Sequence, residues 1–422
     1  MTVRPFSDEA VPVGDRNTWP RVVITGVGVV SPFGLGADVM WRALLECESA
    51  RRPTPESSRG IPVPAFAGVL SAERDAVREL VASRRLRRVS DLSLTAVAAA
   101  QLAMESAGQW PTPEEDTRCD ETAVLLGTSF GSSQYHFDYY ENIYQGGLRE
   151  ASPLLFSESV MNSASGHTAL HFGLRGPSQA LVGGEEVGLH ALADGVDRLR
   201  LGEIEAVLAG GGEQYSDFVH ASLAHRGVAG DVAGLPYGEP GVTFFSEGGA
   251  WLYLERADDA QARGAQPLAE VLGYGIARAR DYRNDAARGA STAIQAALKD
   301  AGLDGSEVEL VVGSACGSPF DAEELSAVAH TMAEGPPCTL TAPKGSLGEG
   351  FAFTSIVQAI VAVRALQEGV VPPTVGVDTP KTLVSRFSVV GPGAHSQSMR
   401  YALVVALNRR GGAAAVAIAL PR

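Results

Sequence analysis

Two distant segments of this chain carry the same pattern. Residues 122–132 read Thr-Ala-Val-Leu-Leu-Gly-Thr-Ser-Phe-Gly-Ser, and residues 308–318 read Val-Glu-Leu-Val-Val-Gly-Ser-Ala-Cys-Gly-Ser. Each is an apolar run of strand length that ends in Gly-(Thr/Ser)-x-x-Gly-Ser. A repeat on this scale predicts a chain made of two similar halves. Both halves also close with strand-like runs, 206–212 and 250–255 in the first, 401–407 and 415–420 in the second. Between the strands lie alanine-rich helical stretches, and that alternation predicts α/β layers. The expected division is a loose tail over 1–20, a first half over 21–255, a polar connector over 256–267 and a second half over 268–422.

Local signals agree with layering. Arg21-Val22-Val23-Ile24-Thr25-Gly26-Val27-Gly28-Val29-Val30-Ser31 reads as a buried strand entering a glycine turn. Its lone Gly-x-Gly lacks the third glycine and the acidic residue of a dinucleotide fingerprint. Ser90-Asp91 opens a helix that runs to about Ala107. Its alanines at 96, 98, 99, 100 and 103 allow close packing. The arginine run 84–88 before it is either a solvated helix approach or a docking patch for an acidic or phosphorylated partner.

The net charge of −15 excludes a nucleic-acid role, which needs a basic face. The four cysteines, Cys47, Cys119, Cys316 and Cys338, have neither zinc-site nor disulfide spacing, so no metal is expected and a reducing, cytoplasmic setting is. The tail has no apolar signal core. No apolar run reaches membrane-spanning length.

The chemistry should centre on 176–192. Gly176-Pro177-Ser178 leads into a short apolar strand, Ala180-Leu181-Val182. Gly183-Gly184 follow, then a helix expected to begin near Glu185. A strand–tight turn–helix unit presents one side chain at a helix N-terminus, where unpaired N–H groups and the dipole favour an anion. A Cys or Ser placed there would be activated as a nucleophile. This chain places Glu185 there.

The stretch resembles the nucleophile elbow of β-ketoacyl synthases, of the thiolase superfamily. Further matching segments are Ser152-Pro153-Leu154-Leu155-Phe156 with Asn162 and Gly166-His167, Phe245-Ser246-Glu247-Gly248-Gly249-Ala250, Lys344-Gly345-Ser346-Leu347-Gly348-Glu349-Gly350 and Val371-Pro372-Pro373-Thr374. In this order they cover roughly 21–420. The resemblance implies a thiolase fold, two similar halves forming a layered α-β-α-β-α core. It also implies one cysteine that holds the acyl chain and two histidines that assist decarboxylation and stabilise the enolate. At the three matching positions stand Glu185, Cys316 and Glu349. A carboxylate is a poor acyl acceptor, because the mixed anhydride it forms is too labile. The late Gly-Phe-Gly-Gly loop of the family is here Asn408-Arg409-Arg410-Gly411-Gly412, with arginines in place of the gating phenylalanine.

This combination is similar to the chain length factor, or ketosynthase-beta subunit, of type II polyketide synthases, of aromatic or reducing (polyene) kind. The resemblance implies a non-catalytic subunit that pairs with a ketosynthase-alpha and shapes the acyl tunnel. The acyl chain would arrive on the phosphopantetheine of an acyl carrier protein, with no cofactor of the chain's own. Tyr135, Leu155, Phe156 and Met161 are the tunnel or interface candidates. Glu185 and Glu349 are expected to meet Arg409 or Arg410 in an ion pair that plugs the old site. Two other readings stay open: a homodimeric enzyme using Glu185 or Cys316 for acyl transfer, hydrolysis or decarboxylation, and a thiolase-fold scaffold. Lys344, His136, His167 and His190 are read as structural.

Overall fold

The strand Val22–Ser31 is buried at all ten of its positions. Burial on both faces belongs inside a sheet covered by helices, and this strand lies where the two halves of the molecule meet. The first half contributes β1 (Val22–Ser31), β2 (Thr122–Thr128), β3 (Ser178–Val182), β4 (Ala206–Glu213) and β5 (Gly248–Arg256). The second contributes β6 (Ala269–Arg278), β7 (Leu310–Val312), β8 (Cys338–Thr341), β9 (Tyr401–Leu407) and β10 (Gly412–Ala419). These elements come from a computed structural model that describes residues 19–57, 59–70, 73–110, 121–281, 285–378, 381–393 and 395–422. Most of the expected tail, and Cys119, lie outside the described residues.

The strand orders are 3-2-4-5-1 in the first half and 8-7-9-10-6 in the second. β2 runs parallel to β3 and β4, as β7 does to β8 and β9. The remaining pairs, β4 with β5, β5 with β1, β9 with β10 and β10 with β6, are antiparallel. Position by position, the second half repeats the first. The two sheets join only where Val22–Ile24 of β1 pairs with 269–271 of β6. A hairpin of Lys381–Val384 and Phe387–Val389 extends the second sheet beyond β8.

Four helices complete the layers: α1 (Asp91–Ser106), α2 (Val187–Arg200), α3 (Ala286–Ala301) and α4 (Ala352–Glu368). Helices α2 and α4 pack against each other between the sheets, in the largest apolar cluster. α1 covers the outer face of β1 and β5, and α3 that of β6 and β10. The result is the layered α-β-α-β-α thiolase architecture. Ser90 caps α1 by accepting the Ser93 N–H at 3.1 Å.

The alanine-rich outer helices need glycines beneath them. A Cβ on Gly28 would stand 2.1 Å from the Ala99 carbonyl oxygen, and one on Gly275 would stand 2.1 Å from that of Ala293. The same close approach of strand to helix is thus built twice. Segment 256–267 contains a short helix, Ala257–Ala262, and Arg263 closes it by bonding the Glu255 carboxylate and the Ala107 carbonyl.

Candidate functional site

Strand β3 ends at Val182, Gly183-Gly184 turn the chain, and α2 begins at Val187. The helix starts two residues later than its sequence suggests. The Val187 N–H bonds the Gly184 carbonyl at 3.2 Å, and this tight turn precedes the helical ladder. A Cβ on residue 184 would lie 1.6 Å from Nδ2 of Asn408, so the turn takes glycine unless that side chain moves. Glu185 therefore sits at the mouth of α2 and is 5% exposed. Glu349 lies just before α4 and is 2% exposed. The N-terminal ends of both central helices converge on one place.

That place holds a closed charge cluster. Arg409 donates through Nη1 to Glu185 Oε1, and the same nitrogen is 3.7 Å from Glu349 Oε2. Lys344 Nζ bonds both oxygens of Glu349, at 3.0 and 3.1 Å. The Phe351 N–H adds a bond to Glu349 at 2.8 Å. Arg409 Nη2 is 3.6 Å from Cys316 Sγ. Two carboxylates thus face two cations, all largely withdrawn from water.

Burial raises the Glu185 carboxyl above the usual range, and the nearby Glu349 charge adds to this; Arg409 offsets it in part. Burial also acts on Glu349, but Lys344 and Arg409 outweigh it and hold its carboxyl low. Of the two, Glu185 is the one poised to accept a proton. Burial pushes the Cys316 thiol up to about 12, against the pull of Arg409. At neutral pH it is a thiol and a poor nucleophile. Neither Glu185, held by Arg409, nor Cys316 is poised as an acyl acceptor.

Of the two loop arginines named from the sequence, the structure brings in Arg409 alone. Arg410 is exposed; its backbone N–H bonds Asn408 Oδ1 at 2.6 Å, and its side chain forms no ion pair among the described residues. Sequence reasoning also passed over Glu186, which is buried and accepts from Asn408 Nδ2 at 2.9 Å. Lys344 holds Glu349 more closely than either arginine does. Above the cluster opens a cleft of about 490 Å³, lined by residues including Ser129, Phe130, Glu185, Glu186, Phe351, Asn408 and Arg409.

Behind the cleft, Glu213 at the end of β4 accepts the Ser129 and Phe130 N–H groups and the Thr128 hydroxyl. Burial pushes its carboxyl up to about 8, against the pull of those bonds. The folded chain therefore holds a proton there that the unfolded chain releases near 4.5. Stability from this group is fully present below pH 4.5 and is lost as pH rises through 8. Glu213→Gln is expected to flatten the fall in urea stability between pH 5 and 8. An unchanged slope in a folded variant would remove Glu213 as its source.

The tunnel candidates lie elsewhere. Tyr135, on the helix Ser133–Gly146, donates to the Val89 carbonyl at 3.2 Å. Leu155 is half-buried, and Phe156 is exposed with its ring 5.6 Å from that of Tyr139. Met161 is exposed at the turn before the helix Ser163–Phe172 and lies against Gly131. None of the four lines the cleft. The helix Ser133–Gly146 has no buried residue at all. With Tyr140, Tyr144 and Leu148 exposed, and with Phe137 against exposed Phe218 and Tyr139 against exposed Phe156, it contributes to an exposed apolar surface; Val182 is exposed at the end of β3. β3 is the end strand of its sheet, and among the described residues no strand pairs with its outer edge.

His167 Nε2 lies 2.6 Å from Glu158 Oε1, and the His136 ring packs 4.8 Å from that of Tyr140. Burial lowers the His190 imidazole. Cys47, Cys316 and Cys338 are free thiols. Among the described residues no group of histidines, cysteines and carboxylates is arranged to hold a metal, and no helix is long and apolar enough to cross a membrane.

Residues 20–260 match the "Beta-ketoacyl synthase, N-terminal domain", and residues 268–378 match the "Beta-ketoacyl synthase, C-terminal domain". Among curated proteins, a 3-oxoacyl-[acyl-carrier-protein] synthase 2 of Rhizobium meliloti (strain 1021) is 28% identical over 408 residues, covering 91% of this chain and 94% of that protein. Nodulation protein E of Rhizobium sp. (strain N33) is 30% identical over 365 residues, covering 84% and 88%. Among solved structures, the ishigamide ketosynthase/chain length factor superposes with a TM-score of 0.86 at 24% identity, over 96% of this chain and 100% of that one. A type II PKS acyl-carrier protein in complex with its ketosynthase bound to the hexaketide gives 0.82 at 20%, with the same coverage. At these identities the likeness is one of fold.

Proposed function

The chain belongs to the β-ketoacyl synthase family, and from that premise we propose that it is a non-condensing member, a chain length factor. In this reading it pairs with a ketosynthase-alpha, closes the acyl tunnel from its own side and sets the length of a polyketide chain. One observation carries the reading: the elbow residue is a buried carboxylate tied to Arg409, where condensation requires a free nucleophile. The high thiol pKa of Cys316 speaks against an enzyme built on that residue instead.

A subunit of this kind needs no cofactor. Its acyl chain comes on the phosphopantetheine of an acyl carrier protein that serves the pair. The free thiols fit a reducing cytoplasm. Chain length is then a matter of volume, because a well-packed apolar wall cannot accept further methylenes without strain. In this reading Leu155, which is half-buried, contributes to such a wall once a partner covers it.

The test is co-expression with the ketosynthase-alpha and analysis of the product. Glu185→Gln keeps hydrogen-bonding capacity and is expected to leave product formation largely intact. Loss of turnover in a stable, assembled Glu185→Gln complex would mean that the carboxylate does chemistry, and the non-condensing reading would fall. Leu155→Trp is expected to shorten the product by filling the tunnel. An unchanged length distribution in a folded complex would exclude Leu155 from the wall.

A further inference from the structure

The cleft over the ion-pair cluster has a charge pattern that the non-condensing reading does not use. Its charged lining residues are four arginines, Arg226, Arg278, Arg409 and Arg410, and two glutamates, Glu185 and Glu186. Four positive against two negative leave an excess of two positive charges, in a chain whose net charge is −15. Only Arg409 has carboxylate partners there. Glu186 is satisfied by Asn408. Arg226, Arg278 and Arg410 are exposed, and among the described residues their side chains form no hydrogen bond or ion pair.

Unpaired guanidiniums around one concavity repel one another, and the concave wall concentrates their field. The fourteen-residue helix α2 opens its N-terminus toward the same space and adds to the positive potential. The floor is already neutral, because Arg409 is matched by Glu185. An incoming anion therefore meets the rim. Phe130, Leu223, Val228 and Phe351 supply apolar surface beside the arginines.

We propose that this cleft binds a free dianion of the phosphate class, a phosphate monoester with an apolar body, held by Arg226, Arg278 and Arg410. Guanidinium groups suit such a ligand, since each can donate two parallel hydrogen bonds to phosphate oxygens. Two excess positive charges match the two negative charges of a monoester. Val182, on the edge offered for pairing, also borders this cleft, but the proposal rests on the rim arginines and is read on the chain alone, so its failure would leave the chain-length reading untouched.

Titration calorimetry of the full chain at low salt, with phenyl phosphate and with methyl phosphate, tests the proposal. Saturable binding with one site per chain is expected, weakening as salt rises. Arg226→Glu and Arg410→Glu should each loosen it about tenfold, the loss expected for one charge-assisted contact. Arg149→Glu, exposed and outside the cleft, should leave it unchanged. Heats that never saturate would overturn the proposal. So would unchanged affinity in an Arg226→Glu/Arg410→Glu variant with the parental melting temperature. Uptake of coenzyme A or a holo carrier protein, with both free dianions ignored, would also overturn it by making the cleft a site for a carried phosphodiester.

Discussion

Arg409→Ala is expected to destabilise the chain by about 3–5 kcal/mol, the usual loss when one partner of a buried ion pair is removed. Glu185 is 5% exposed, and among the described residues Arg409 is its one cationic hydrogen-bond partner. Glu349 keeps Lys344, so the damage falls on Glu185. Without Arg409, the Glu185 carboxyl rises further and takes up a proton. The sign follows from linkage: a carboxyl raised in the folded state favours folding below its unfolded pKa, and this stability is lost as pH rises through the folded value. The Arg409→Ala defect should therefore shrink in acid and grow toward neutral pH. Arg410→Ala, at an exposed side chain without an ion pair, should cost no more than about 0.5 kcal/mol. Urea unfolding of both variants at pH 5 and pH 8 checks this. Equal losses in the two variants, or a pH-independent Arg409→Ala defect, would refute the assignment of Arg409 as the lock on Glu185.

Phe156→Asp combined with Val182→Asp is expected to prevent pairing with a ketosynthase-alpha while leaving the melting temperature of the lone chain nearly unchanged. Phe156 is 54% exposed and Val182 56%, so neither supports the fold. Val182 ends β3, whose free edge is a template for another strand, and charge on such an edge blocks pairing. Apolar anchors at the centre of an interface are each worth about 2 kcal/mol or more, so the double change should weaken association roughly a hundredfold or more. Co-purification and analytical ultracentrifugation read the outcome. Undiminished association would move the interface off both Phe156 and the β3 edge and remove the basis for a shared tunnel.

Much of this architecture was legible in the chain. The duplicated run ending in Gly-(Thr/Ser)-x-x-Gly-Ser announced two halves, and those runs lead through β2 and β7, second strands of matching sheets. The strand order was not legible, because apolar alternation carries no record of which strands become neighbours. The repeated glycines, Gly26 and Gly28 against Gly273 and Gly275, carried the clue to close helix packing, but periodicity assigns them no partner. In the site, Glu185, Cys316 and Glu349 are picked out by position, and the structure gathers them around Arg409. Which arginine turns inward could not be read from Arg409-Arg410: the direction of neighbouring side chains depends on the backbone at the turn, where Gly411 has φ +78°. The Lys344–Glu349 pair spans a left-handed glycine, Gly348, at φ +85°. A helical i,i+4 rule does not anticipate that contact.

The position of β1 has a consequence for synthesis. It is made before every other described strand, and β5, with which it pairs along most of its length, ends at Arg256. At about 5–20 residues per second, the ribosome needs roughly 10–45 s to release that neighbour after β1 has emerged. During this interval β1, apart from its Val30–Ser31 end, which pairs with Gly34–Leu35, has no ladder to join. Pairings of such long range are slow to form in any case. A nascent chain halted before Gly248 should therefore be bound by chaperones and cut by proteases at 22–31, and one halted well beyond Arg256 should not.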